Sequence, residues 1–391
     1  MESTLFSFFI SGEEKELSPG FGLWNLPLSG ENPGINCKIP LENTNFDSFI
    51  KIGDYFAAAC RFLSQNDFLT LKTGLLSHLD TPVSTDQIDN IVIFLEKHGP
   101  FYHPLKILVV LSRNRIVSFV LNGAVSRPGL TLVEKEYQLI SGLNKTFSRH
   151  YLPRVFGSDF INTGEGRIGF FLGEWFDGYK EFHVTEDNNK RQVVIWNSDG
   201  SSHYISMVEV LPVYREISRI LTCFYDIETF EQIFPWHHAA GDFVVRMDEQ
   251  RPRVRLITVR GYSPLTEFNV RGKDKKELIL PALLFFFLNL SLRIRLDRLN
   301  GTGRTVMLGK KVLKISVKGF LSGLDRKSRA YNFGDFRAAF IEFFCQFNLQ
   351  QVMAIMENML ESWHPDPLEF AVIEENLESH CTLLYSIFKN L

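Results

Sequence analysis

Apolar and polar positions run through this 391-residue chain in three rhythms. Up to about residue 45 there is no period. The stretch SPGFGLWNLPLSGENPG is turn chemistry and predicts irregular structure packed on a neighbour. From about 46 to 97 the spacing becomes helical, in FIKIGDYFAAACRFL and again in STDQIDNIVIFLEKHG, where Ser84 and Thr85 are candidate N-caps. From Leu105 the rhythm shortens to that of strands. KILVVLS and RIVSFVLNGAV predict two neighbouring strands, LTLVEKEYQLISGL a helix, and YLPRVFGSDF and RIGFFLGEWFDGYKEFHV two further strands, giving the order β-β-α-β-β.

The remainder mixes both periods. QVVIWNSDGSSHYIS reads as a hairpin around Asp199 and Gly200, and SMVEVLPVYREISRILTCFYDIETFEQIF as a helix with Pro212 in its first turns. DFVVRMDEQRPRVRLITV predicts another hairpin, 278–292 an apolar helix, TVMLGKKVLKISV a basic hairpin within 304–318, and the C-terminal end two helices. The expected class is α+β, divided into an N-terminal loop and helical extension (1–100), a small β-rich part (101–178) and a mainly helical part (179–391).

Composition narrows the function classes. A length of 391 residues predicts more than one packed unit, and 36 Phe against 11 Tyr points to rings used as apolar filling. A net charge of -3 exerts no global pull toward nucleic acid or anionic membrane, so binding of that kind has to be local. Five scattered cysteines without a C-x-x-C pair suggest neither a disulfide framework nor a zinc site. The apolar run 278–292 carries Pro281 and Asn289 and falls short of the ~20 residues a spanning helix needs, so a buried helix is expected. With acidic flanks around its first apolar run, the chain reads as cytoplasmic, without a membrane partner.

Chemistry concentrates in FPWHHAAGDFVV, residues 234–245. His237 and His238 with Asp242 are candidate acid–base groups, and His238 with Asp242 a candidate metal pair, since histidine titrates near pH ~6.5 and ligates divalent metals. The alternative is one histidine hydrogen-bonded in the core, one solvated, and Asp242 capping the loop. Between 293 and 329 basic residues outnumber Asp297 and Asp325. Lys310, Lys311, Lys314 and Lys318 there either grip phosphate-bearing molecules such as RNA or form a solvated face. GTGRTVMLGKK lacks P-loop spacing, and no G-x-S-x-G, H-E-x-x-H or Rossmann glycine pattern stands in a supporting context.

Over 105–299 the order of elements resembles the protein-kinase-like fold, closest to its aminoglycoside and small-molecule phosphotransferase branch. EKEYQLISGL resembles the small-lobe helix whose glutamate, here Glu136, orients a phosphate-binding lysine; LGEWFDGYKEF resembles the hinge, with Glu174 and Trp175 bordering the ligand. GDFVV resembles the family's G-N-I-L-V, which puts Asp242 on the metal-binding asparagine and His237 on the catalytic aspartate. LITVRGY resembles L-I-D-F-G, which puts Thr258 on the metal-binding aspartate. A second register takes Gly241-Asp242 as the family's Gly-Asp, restoring a base and losing the metal-binding residue. The lysine strand reads SFVLNGAV, with Leu121 or Asn122 at the lysine position and Lys106 on the neighbouring strand as a substitute. The resemblance implies a two-lobed fold and ATP or another nucleotide with Mg²⁺ as ligand. The departures imply a degenerate, pseudokinase-like protein that binds a small ligand or protein partner; the alternative is an active atypical phosphotransferase working through His237, His238 and Asp242.

Overall fold

Ile88–Leu95, whose spacing predicts helix, is a strand, and that difference sets the size of the first sheet. Ser84 does cap, but it caps only the single 3-10 turn Thr85–Gln87. Beyond that turn the β-branched run alternates buried and accessible positions with period two. A short apolar run fits either period, and the neighbouring strands decide it. The computed structural model describes residues 5–20, 22–28, 50–96, 101–147, 149–188, 190–197, 201–236, 238–248, 251–265, 275–331, 334–363 and 366–391. The chain divides into two compact units at Gly178 and Tyr179.

The first unit contains β1 (Phe6–Ile10), α1 (Ile52–Leu79), β2 (Ile88–Leu95), β3 (Leu105–Leu111), β4 (Arg115–Ala124), α2 (Arg127–Thr146), β5 (Val155–Thr163) and β6 (Gly166–Glu174). They make one six-stranded sheet in the order β1-β2-β3-β4-β6-β5. β1 joins β2 in parallel and every other pair is antiparallel. The segments 1–100 and 101–178, expected as separate parts, therefore share this sheet, and the opening stretch contributes a strand where irregular structure is predicted.

Successive residues of β6 face opposite sides of the sheet. Phe170 packs against Tyr55 and Phe62 of α1, while Phe171 packs with Val133 of α2, so the two helices cover opposite faces. α1 is broken at Asn66, Asp67 and Phe68, all with positive φ. The Asp67 carboxylate holds that turn, accepting from Lys72 at 2.5 Å and from Thr85 at 2.9 Å.

The second unit begins with a three-stranded meander, β7 (Phe182–Asp187), β8 (Lys190–Trp196) and β9 (Ser202–Ser206), followed by α3 (Leu211–Phe224). Next come β10 (Glu231–Ile233), the single turn α4 (Ala239–Asp242), the hairpin β11 (Phe243–Arg246) with β12 (Arg253–Leu256), and β13 (Tyr262–Pro264), which pairs antiparallel with β10. The chain then runs through α5 (Ile279–Arg293), a short hairpin of β14 (Leu296–Arg298) and β15 (Thr305–Met307), and α6 (Lys310–Tyr331), α7 (Phe336–Cys345), α8 (Leu349–Trp363) and α9 (Pro367–Lys389).

The expected basic hairpin within 304–318 is a correction: from Lys310 onward the chain is helix, and four helices rather than two complete it. Within VLKISV, apolar and polar residues alternate over the five positions from Leu313 to Val317, like a strand. Only over the whole of α6, with Val312, Leu313, Ser316, Val317, Phe320, Leu321 and Leu324 buried, does the 3.6 period show. Among the described residues no helix is long and apolar enough to cross a membrane.

Buried phenylalanine rings fill the core of this unit as they do that of the first. The Phe287 ring of α5 meets Phe320 at 4.4 Å, Phe340 at 5.4 Å and Phe388 at 5.4 Å between centroids. Removing a buried ring leaves both the lost transfer energy and a cavity. Phe287→Ala is expected to destabilise the unit by about 3–5 kcal/mol, measured by urea denaturation, with Phe287→Leu costing clearly less.

Candidate functional site

Loop 234–242 is positioned from the strands on either side of it. β10 delivers its start and β11 leaves from its end, and the segment between β12 and β13 clasps both ends. The Phe234 N–H donates to the Gly261 carbonyl at 3.0 Å, and the Ile257 N–H donates to the Asp242 carbonyl at 3.0 Å. A Cβ at Gly261 would stand 2.3 Å from the Phe234 carbonyl oxygen, so the close approach needs glycine there. Gly241 has φ +92°, a left-handed conformation that turns the chain and aims the Asp242 side chain inward.

Asp242 is 2% exposed. Its carboxylate takes the Arg260 guanidinium with both oxygens, at 2.8 and 3.1 Å. This bidentate geometry occupies the faces that a divalent cation would need and supplies the positive charge such a cation would bring. His238 is turned elsewhere: its Nε2 lies 3.1 Å from Oε1 of Glu369 in the first turn of α9, and both side chains are buried. His237 lies outside the described residues. Thr258 stands half-buried in the clasping segment. Among the described residues no group of three or more His, Cys, Asp or Glu side chains is placed to hold a metal ion.

No family model and no curated protein matches this chain. Geometry alone therefore says what the remaining candidates do.

In the first unit, Glu136, for which an exposed position is the simplest expectation once the lysine is missing, is 1% exposed. Tyr102, from the segment before β3, donates its hydroxyl to the Glu136 carboxylate at 2.6 Å. A phenol thus meets the carboxylate where the resemblance calls for an ammonium. Lys106 on β3 lies over the Trp175 ring with Nζ 5.0 Å from the centroid, which brings two of the predicted ligand residues together as a cation–π pair. Glu174 ends β6 and is held by Arg154: the guanidinium donates at 3.2 and 3.3 Å, and the Arg154 backbone N–H at 3.2 Å.

Contacts that local reading of the sequence does not reveal surround loop 234–242. His183 of β7 meets Asp297 of β14, with Nδ1 3.3 Å from Oδ1. Asp297 is 1% exposed and also accepts from the Val184 N–H at 2.9 Å and the Arg298 N–H at 2.8 Å. This carboxylate fastens the meander to the β14–β15 hairpin and holds the imidazole by its Nδ1 side. Arg260 stands inside the run LITVRGY, yet nothing local marks it as the partner of Asp242, eighteen positions earlier in the turn α4. His183 and Asp297 are 114 positions apart, and only the folded chain pairs them.

Proposed function

We propose that this chain is a degenerate kinase-like protein with a binding or regulatory role. The support for the architecture lies in order and pairing. The order β3-β4-α2-β5-β6 is the β-β-α-β-β order on which the resemblance rests, and the β10–β13 pair and β11–β12 hairpin flank the loop that the resemblance aligns with the catalytic loop. The observation that carries the role is the bidentate Asp242–Arg260 pair. The family's phosphoryl transfer needs an oxygen ligand for Mg²⁺ at that position, and here a guanidinium holds it. Thr258 in place of the family's metal-binding aspartate and Tyr102 on Glu136 support the same reading.

The role expected is recognition of a protein or small ligand by a kinase-like framework without metal-dependent turnover. Calorimetric titration of the full chain with ATP and GTP, each with and without Mg²⁺, tests it. Any nucleotide affinity is expected to be weak and unchanged by Mg²⁺, and no phosphoryl transfer to water or to small hydroxyl acceptors is expected. Mg²⁺-dependent binding that Asp242→Asn abolishes, or turnover by the wild-type chain, would overturn the proposal.

A further inference from the structure

The lysines expected on a hairpin lie instead along one side of a long helix. Helix α6 carries seven basic residues and a single acidic one over Lys310–Tyr331. At 100° per residue, Lys310, Lys311, Lys314 and Lys318 fall within about a third of the helix circumference, and all four are exposed. The opposite side of α6 is spoken for. Ser316 accepts a hydrogen bond from Ser218 of α3 through its carbonyl, and Gly319 and Gly323 lie against the α3 backbone and Thr222. The lysine row therefore points away from α3.

Internal stability does not account for this row. None of the four lysines makes an ion pair among the described residues, and Asp325, the acidic residue of α6, is engaged by Arg337 at 3.3 Å. No acidic side chain occupies the first turn. Placing cations in the opening turns sets them against the positive end of the helix dipole, which costs rather than contributes stability. Four uncompensated positive charges thus line a rigid rod about 12 Å long at 1.5 Å per residue.

We propose that this face of α6 binds the phosphate backbone of a nucleic-acid duplex, independently of base sequence. Charge density favours this partner. Along one strand of a duplex there is one negative charge per ~3.4 Å of axis, so a rod of about 12 Å spans three to four phosphates of that strand, comparable with the four lysines. The large hydrophobic side chains that are exposed in this protein include none from α6. The face therefore offers no ring on which unpaired bases could stack and no apolar anchor for a lipid surface. The apolar side of the helix, with Phe320 and Leu324 fully buried, is committed to the core.

Fluorescence anisotropy of the full chain with labelled 30-base-pair duplex RNA and duplex DNA, the matching single strands, and phosphatidylserine-containing vesicles tests the proposal. Duplex binding at 50 mM salt is expected to weaken with rising salt, with a log–log slope near −3.6 for about four phosphate contacts. Lys314→Ala with Lys318→Ala should reduce the slope by about 2 and lower affinity at least tenfold. The charge reversal Lys314→Glu with Lys318→Glu should abolish binding without lowering the melting temperature, because these side chains are exposed and touch no core. Comparable affinity for duplex RNA and DNA is the result expected of backbone recognition. Duplex binding that both variants retain, binding insensitive to salt, preference for single strands, or binding to vesicles alone would overturn it.

Discussion

Replacing Arg260 with alanine is expected to destabilise the C-terminal unit by about 3 kcal/mol, more than replacing its partner. The value is the lower end of the range for breaking a buried ion pair by removing one member. Asp242 is 2% exposed and would be left charged without its cation, whereas the Arg260 side chain is 20% exposed and can turn to water. Asp242→Asn should for that reason cost about 1–2 kcal/mol, the penalty of a weakened hydrogen-bonded contact. Urea unfolding of both single variants and of Asp242→Asn with Arg260→Ala checks the asymmetry, since the double variant should be more stable than Arg260→Ala alone. The Arg260→Ala variant also exposes the chemistry of the loop. A freed carboxylate seeks a cation, so millimolar Mg²⁺ is expected to raise its melting temperature and to leave the wild type and the double variant unmoved. Equal losses from the two single substitutions would show that the pair is not the electrostatic keystone described above.

The second large effect is an acid instability seated in the helical core. His380 of α9 is fully buried, and burial foremost, then the Arg295 charge, holds its pKa down at about 3 from 6.5. The hydrogen bonds show why. Ser291 spends its hydroxyl proton on the Leu288 carbonyl, so at 3.2 Å it accepts from His380 Nε2; Nδ1 then accepts from the Arg295 guanidinium at 2.8 Å. A proton added to Nδ1 would face another N–H and break that bond. The imidazole is a base with a depressed folded pKa, so between about 6.5 and 3 the unfolded chain takes up a proton that the folded chain refuses. Stability from this residue is therefore fully present above pH 6.5 and falls as pH drops through that window, by up to ~1.4 kcal/mol per pH unit. Urea unfolding at pH 7 and pH 4.5 is expected to show a larger acid loss in wild type than in His380→Gln, which has no such proton to take. An identical pH slope in the two proteins would remove His380 as the cause.

The place of the candidate loop along the chain was legible before folding. The run from Phe234 to Val245 stands out by composition, and in the fold β10 precedes it and β11 takes up its last residues. The identities of its partners did not show. Asp242 reads alike in sequence whether it faces a metal ion or a guanidinium, and Arg260 decides between these only through the hairpin that brings it back. Glu136 likewise carried no sign of Tyr102, which lies 34 positions earlier.

By itself the sequence determined the elements whose period is long and consistent: the strands of β3, β4 and β6, the helices α2 and α5, and α3 as far as Phe224, beyond which the expected helix gives way to the strand β10, because side-chain periodicity is a local property of the chain. Tertiary structure decided what local pattern left ambiguous. β2 is a strand because β1 and β3 stand beside it to pair its backbone, and the segment after Gly309 is a helix because α3 packs along its small residues. It also decided the long-range polar pairings Asp242 with Arg260, His238 with Glu369, His183 with Asp297 and Arg295 with His380. Such pairs form because a buried polar group has to be answered, and it takes its partner from whatever the fold sets within reach, however distant along the chain.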